Sequence, residues 1–327
     1  MPEGEDLGAN VDLAMDAIEK VNAGLAGVLP RGYQKLEKAV LLELVRLFAP
    51  LPRTVSGDAF GLIYEYFLAE FAANEGRRGG EFFTPQSIVR LIVEVMEPLH
   101  GKVYDPACGS GGMFVHSARF VSNHSGSPTQ DLSVYGQEQK EGTVPLCRMN
   151  LALHGLSGDT RLANSYYDDL HDSVGRFDFV MANPPFNVNG IDKSKLEGDM
   201  RRFPFGLPRP DNGNYIWIQL FRSALNQTGR AGFVMANSAS DARSSEAEIR
   251  RQLIEERSVD AIGPDCRLRS PVSAFAERRC RRQAALVLDR TKLAAGPGIG
   301  RAKCAHVEAK GWCPADREGR RRRHSTH

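Results

Sequence analysis

The stretch that most constrains this 327-residue chain is Phe177-Asp178-Phe179-Val180-Met181-Ala182-Asn183-Pro184-Pro185-Phe186. Its short apolar run, bounded by turn residues, is the pattern of an interior strand in a parallel sheet covered on both faces. Proline has no backbone N–H to give to a sheet ladder, so the strand must end at Asn183. Open α/β sheets bind ligands outside the carboxyl ends of their strands. Asn183, Pro184 and Phe186 therefore present an amide, a free carbonyl and an aromatic ring at one corner. That set suits a planar base bearing an exocyclic amine. A strand followed by a plain tight turn accounts for the same residues without a ligand, and this motif alone leaves both readings open.

Three upstream segments bear on the choice. Lys102–Asp105 reads as a strand running into Asp105-Pro106-Ala107-Cys108-Gly109-Ser110-Gly111-Gly112, with a helix expected over Met113–Val121. Glycines let a backbone approach a ligand closely, and a helix start favours anionic groups. No Gly-Lys-Ser/Thr closes the turn, and Gly109, Gly111 and Gly112 depart from G-x-G-x-x-G, so neither the phosphate-loop nor the dinucleotide pattern is met. A second strand over Leu132–Gly136 ends at Gln137-Glu138, where an acidic residue is placed to take ribose hydroxyls. Further upstream, Glu81-Phe82-Phe83-Thr84-Pro85-Gln86 leads into a helix, with Thr84 expected as N-cap and Pro85 as first helical residue. Taken singly, a structural turn and an ordinary cap explain these segments as well.

The remaining pattern alternates helix and strand. A helix is expected over Thr143–His154, a third strand over Arg161–Asn164, a helix over Ile216–Leu225, a fifth strand over Arg230–Asn237 and a sixth from Val259 to Ile262. Between Phe186 and Asn212 runs a loop of about 25 residues carrying Lys193, Lys195, Arg201, Arg202 and Arg209, and loops of that length in compact domains are generally functional. Its basic side chains suit a phosphate backbone, though a solvated loop fits equally. Residues 1–80 read as helical. Leu36, Val40, Leu44, Val45 and Phe48 form one apolar stripe, and Phe60, Ile63, Tyr64, Phe67 and Phe71 form another, on a helix capped by Ser56 or Asp58. Met1–Asn10 carries no nameable element. So few helices bury little by themselves, so this region is expected to lean on a neighbour.

No apolar run reaches the roughly 18 residues of a membrane span, and the acidic start is no signal peptide, so a cytoplasmic protein without membrane contact is expected. The six cysteines lack metal-ligand spacing, and no metal site is expected. The net charge of +2 is unevenly shared: Gly263–His327 holds 16 Lys+Arg against 6 Asp+Glu, which leaves the first 262 residues at −8. This last segment has no sustained period and ends near an Arg320–Arg323 run. A basic nucleic-acid tail is one reading. Out-of-frame translation of a GC-rich gene generates the same composition and is the preferred one.

With Glu81–Pro85, Asp105–Gly112 and Asn183–Phe186 in this order, the chain resembles an S-adenosylmethionine-dependent DNA adenine-N6 methyltransferase, and more narrowly the modification subunit of type I restriction–modification systems. The resemblance covers about residues 8 to 262 and implies a doubly wound, mostly parallel, seven-stranded α/β sheet behind a helical N-terminal region. It implies S-adenosylmethionine as cofactor, with Glu81, Phe82, Phe83, Thr84, Pro85 and Gln86 covering its methionine end. Asp105, Gly109, Ser110, Gly111 and Gly112 would cradle it, and Glu138 would hold its ribose. Asn183 and the Pro184 carbonyl would accept from the target amine while Phe186 stacks on the base. The implied partners are DNA, a specificity subunit carrying the target-recognition domains, a second modification subunit and a restriction subunit. Against the family pattern, the chain looks truncated at its N-terminus and divergent or frameshifted after about residue 262. The division expected is a helical region over 1–80, a methyltransferase domain over 81–262 and an irregular basic tail over 263–327. Two alternatives stand: an inactive product that only binds cofactor or partner, and an N-P-P-F methylase acting on RNA or protein.

Overall fold

The computed structural model describes residues 6–50, 59–74, 83–124, 126–208, 213–236, 239, 245–264 and 283–289. Three helices come first: α1 (Leu7–Val21), α2 (Lys38–Phe48) and α3 (Ala59–Asn74). The Asp6 carboxylate caps α1 by accepting the N–H groups of Gly8 and Ala9, so the opening segment does hold an element that sequence reading passed over. Then follow α4 (Gln86–Met96), β1 (Gly101–Asp105), α5 (Gly112–Asn123), a short α6 (Pro128–Asp131), β2 (Leu132–Glu138), α7 (Thr143–Leu153) and β3 (Gly158–Leu162). The chain continues through β4 (Phe177–Ala182), α8 (Asn214–Ala224), β5 (Leu225–Ala236), α9 (Ser245–Glu255), β6 (Val259–Pro264) and β7 (Gln283–Asp289).

The strands form one sheet in the order β3-β2-β1-β4-β5-β7-β6. Pairing is parallel from β3 to β5, and β7 runs antiparallel to both β5 and β6. Strand order reverses between β1 and β4, which sets the carboxyl ends of β1 and β4 side by side at the switch point where such sheets bind ligands. Successive residues of β4 and β5 feed opposite cores. Val180, Ala182, Phe233 and Met235 pack with α8, while Met181 and Val234 pack with α4 and α5. Burial on both faces is why these strands read as unbroken apolar runs.

Four expectations are corrected. The third strand is Gly158–Leu162, earlier than placed; it is an edge strand in which only Thr160 is buried, so it has no apolar signature. The helical region expected to lean on a neighbour does not do so through the apolar stripes of α2 and α3. Val40, Leu44 and Phe48 are exposed, as are Phe60, Ile63, Phe67 and Phe71, whereas α3 buries Gly61, Glu65, Leu68 and Ala72. Ser56 and Asp58 lie outside the described residues. The segment read as irregular beyond residue 262 contains β7, whose backbone pairs with β5 over seven positions; residues 290–327 lie outside the described residues. The long loop after Phe186 is packed down through Ile191, Leu196 and Phe203.

Candidate active site

Asp105 ends β1, and its Oδ1 accepts the Ala107 N–H at 2.9 Å, so the chain turns sharply into the glycine-rich segment. Gly109 and Gly111 take φ of 52° and 81°, the left-handed region in which a side chain is penalised. A Cβ on Gly111 would also stand 2.8 Å from the Cys147 Sγ on α7. The turn is held from two sides. Glu138, at the end of β2, accepts the Gly109 N–H at 3.1 Å and the Lys140 N–H at 2.9 Å. Asn150 on α7 donates to the Ser110 carbonyl at 2.8 Å. A cleft opens over this turn, lined by Phe83, Thr84, Asp105, Ala107, Cys108, Gly109, Ser110, Gly112, Met113 and Asn183.

The cleft floor is electrostatically unusual. Asp105 is 2% exposed, and its pKa is pushed up to about 8 by burial foremost, opposed by the Ala107 N–H and reinforced by Glu138. Burial likewise raises Glu138 against the N–H groups of Lys140 and Gly109. No Lys or Arg pairs with Asp105 among the described residues. Two buried carboxylates therefore favour a cationic ligand.

The wall opposite the turn departs from expectation. Pro85, not Thr84, is the N-cap of α4; its carbonyl accepts the N–H groups of Ile88 and Val89, and Thr84 caps nothing. Freed from that task, the Thr84 Oγ1 accepts the Asn183 Nδ2 at 3.2 Å. This bond orients the amide so that the Asn183 Oδ1 is buried with no hydrogen-bond partner. Buried polar atoms without partners are rare and costly. Pro184 beside it is buried, and the half-buried Phe186 ring packs against both cores at the top of the sheet. The fold thus brings Phe83, Thr84, Asp105, Gly109, Ser110, Gly112 and Asn183 to one cleft. Gly111 and Glu138 support it from behind, and Gln86 turns away toward α3. Glu81 and Phe82 lie outside the described residues. Sequence reading assigned no site role to Ala107, Cys108 or Met113. Cys108, inside the glycine turn, is also a buried member of the core beneath the sheet.

A model of the family described as N-6 DNA methylase matches residues 55–276, more than half of the chain. The chain belongs to the N-6 DNA methylase family. Among its relatives, a type I restriction enzyme methylase subunit from Methanocaldococcus jannaschii is 39% identical over 268 residues, covering 79% of this chain and 48% of that protein. A type I restriction enzyme methylase subunit from Haemophilus influenzae is 40% identical over 268 residues, covering 77% and 60%. The chain thus spans about half the length of the curated relatives it matches. Of solved structures, the type I restriction-modification methyltransferase subunit from Streptococcus thermophilus superposes with TM-score 0.70 at 19% identity, covering 87% of this chain and 62% of that one. The type I restriction enzyme EcoKI M protein superposes at 0.53 and 18%, covering 89% and 68%. At such identities the likeness is one of fold, and it agrees with the doubly wound sheet expected for this N-6 DNA methylase family member.

Proposed function

We propose that this chain transfers a methyl group from S-adenosylmethionine to N6 of adenine in DNA, as the modification subunit of a type I restriction–modification system. The single observation that carries the reading is the buried, unpartnered Asn183 Oδ1 at the mouth of an acidic, glycine-floored cleft. The residues present fit the cofactor: Asp105 lines the cleft and suits its cationic methionine end, Glu138 beside the turn is the acid nearest in chain position for its ribose, and Gly109, Gly111 and Gly112 let backbone approach it. When bound, the cofactor supplies an electrophilic methyl on a sulfonium sulfur.

The adenine N6 lone pair is delocalised into the ring and is a weak nucleophile. Asn183 Oδ1 and the Pro184 carbonyl accept its two hydrogens, which favours a pyramidal nitrogen with its lone pair aimed at the methyl carbon. This is positioning and preorganised electrostatics, and no side-chain nucleophile is needed. Phe186 offers a stacking face for a base drawn out of the duplex and offsets part of the unstacking cost. The catalytic unit in this reading runs over residues 81–262 behind a helical region over 1–80, with β7 supplied from the remainder. DNA, a specificity subunit that reads the bases, a second modification subunit and a restriction subunit are the partners it takes. No helix among the described residues is long and apolar enough to cross a membrane.

The test is methyl transfer to unmodified DNA by the full chain mixed with a specificity subunit, beside Asn183→Ala. The substitution is expected to abolish transfer while cofactor affinity is retained. Equal activity of the two proteins would refute the role of Asn183.

A further inference from the structure

Glu65 is a buried charge that the chemistry above does not use. It lies on α3, 5% exposed, in a helix that turns its rings to solvent. A buried carboxylate is costly unless its oxygens are satisfied. Its Oε2 accepts Gln86 Nε2 at 3.1 Å and Arg119 Nη1 at 2.9 Å. Gln86 opens α4 directly after Phe83, Thr84 and Pro85, the wall that holds the Asn183 amide. Arg119 lies on α5, and its Nη2 meets His154 Nε2 at 3.0 Å. His154 Nδ1 in turn stands 2.8 Å from the Asn150 carbonyl, and the Asn150 side chain holds Ser110 in the glycine turn. One carboxylate on the helical region is therefore tied to the start of α4, two residues after Thr84, and through Arg119 and His154 to Asn150, whose side chain holds the glycine turn.

Resting on the reading of the cleft as an S-adenosylmethionine site, we infer that Glu65 is a positioning residue for that site, and that cofactor affinity depends on how α3 is docked. A second anchor of α3 provides the control: Tyr64 Oη donates to the Leu146 carbonyl at 3.1 Å, a bond in which neither Glu65, Gln86 nor Arg119 takes part.

The experiment titrates S-adenosylmethionine into the full chain by calorimetry and follows amide exchange of the cofactor-free chain, for Glu65→Ala, Glu65→Gln and Tyr64→Phe. Glu65→Ala is expected to weaken cofactor binding about tenfold and to speed exchange over residues 83–89. Glu65→Gln keeps an acceptor for Gln86 and recovers most of the affinity, and Tyr64→Phe stays within about twofold of wild type. Should Glu65→Ala fail to fold, Gln86→Ala cuts the same link from its other end and carries the same expectation. Wild-type affinity and exchange in the Glu65 or Gln86 variant, or an equal loss in Tyr64→Phe at matched melting temperature, overturns the role. A wild-type chain that binds no S-adenosylmethionine refutes the reading of the cleft, whereas exchange over residues 83–89 reports on the Glu65 link by itself.

Discussion

Asn187, one residue beyond Phe186, takes φ 52° and is latched to Asn214 by two bonds: its N–H donates to Asn214 Oδ1, and Asn214 Nδ2 donates to Asn187 Oδ1, both at 3.0 Å. Asparagine tolerates the left-handed region where a β-branched residue does not. Asn214 is 0% exposed, and Asn214→Ala removes both bonds of this latch, at a cost of about 0.5–1.5 kcal/mol per bond. Methyl transfer is expected to fall further in that variant than cofactor affinity does, and paired activity and calorimetry measurements check it. Asn187→Gly is expected to keep activity and Asn187→Val to lose it. Asp105 makes a prediction of opposite character. Its pKa, pushed up to about 8 in the folded chain, stands far above the ordinary aspartate value of 3.8, so between those limits the folded chain keeps a proton that the unfolded chain has released. Its contribution to stability therefore falls as pH rises from about 4 to about 8 and levels off above. Urea unfolding of the cofactor-free chain at pH 6 and pH 8 is expected to show this slope, and Asp105→Asn to flatten it. A cationic ligand favours the ionised carboxylate, so binding at neutral pH should release a proton, which titrations in buffers of different ionisation enthalpy detect.

At the scale of elements, the glycine turn and the long loop each separate a role from its appearance. Gly111→Ala is expected to cost about 1–2 kcal/mol for the left-handed backbone alone, and more because of the Cys147 sulfur. Adding Cys147→Ala should recover the second part and leave the first, a non-additivity that denaturant unfolding of the single and double variants measures. In the loop after Phe186, the sequence treats the basic side chains alike, as suited to phosphate or to solvent. Arg202 is instead 6% exposed and directed at Asp199 and the carbonyls of Ser165 and Tyr167, while Arg201 beside it is exposed. Arg201→Ala should lower the salt slope of DNA binding by about 1, whereas Arg202→Ala should reduce stability and leave that slope unchanged. Charge is visible in a sequence; the carbonyls that capture it belong to segments far along the chain.

For the molecule as a whole, legibility followed burial on two faces. β4 and β5 could be read because both of their surfaces meet a core, and the Asn183–Phe186 corner followed from the prolines that end β4. β3 could not be read so closely, because an edge strand with one inward residue has no period to show. The helical stripes on α2 and α3 were legible as helices but not as surfaces: periodicity marks an apolar face without saying whether anything covers it. Phe67→Ser is accordingly expected to change thermal stability little, by about 0.5 kcal/mol or less. The Thr84–Asn183 bond spans 99 residues and joins two segments whose local patterns are both complete without it, so no window of sequence contains it. Among the described residues, the strand that fills the gap between β5 and β6 is the last of the sheet to be synthesised. Until the chain has grown past Asp289, β5 and β6 each show a row of unpaired backbone groups to their surroundings. A ribosome that pauses in the stretch between β6 and β7 holds out a nearly finished sheet with an open slot, the state most exposed to capture by a strand from another chain.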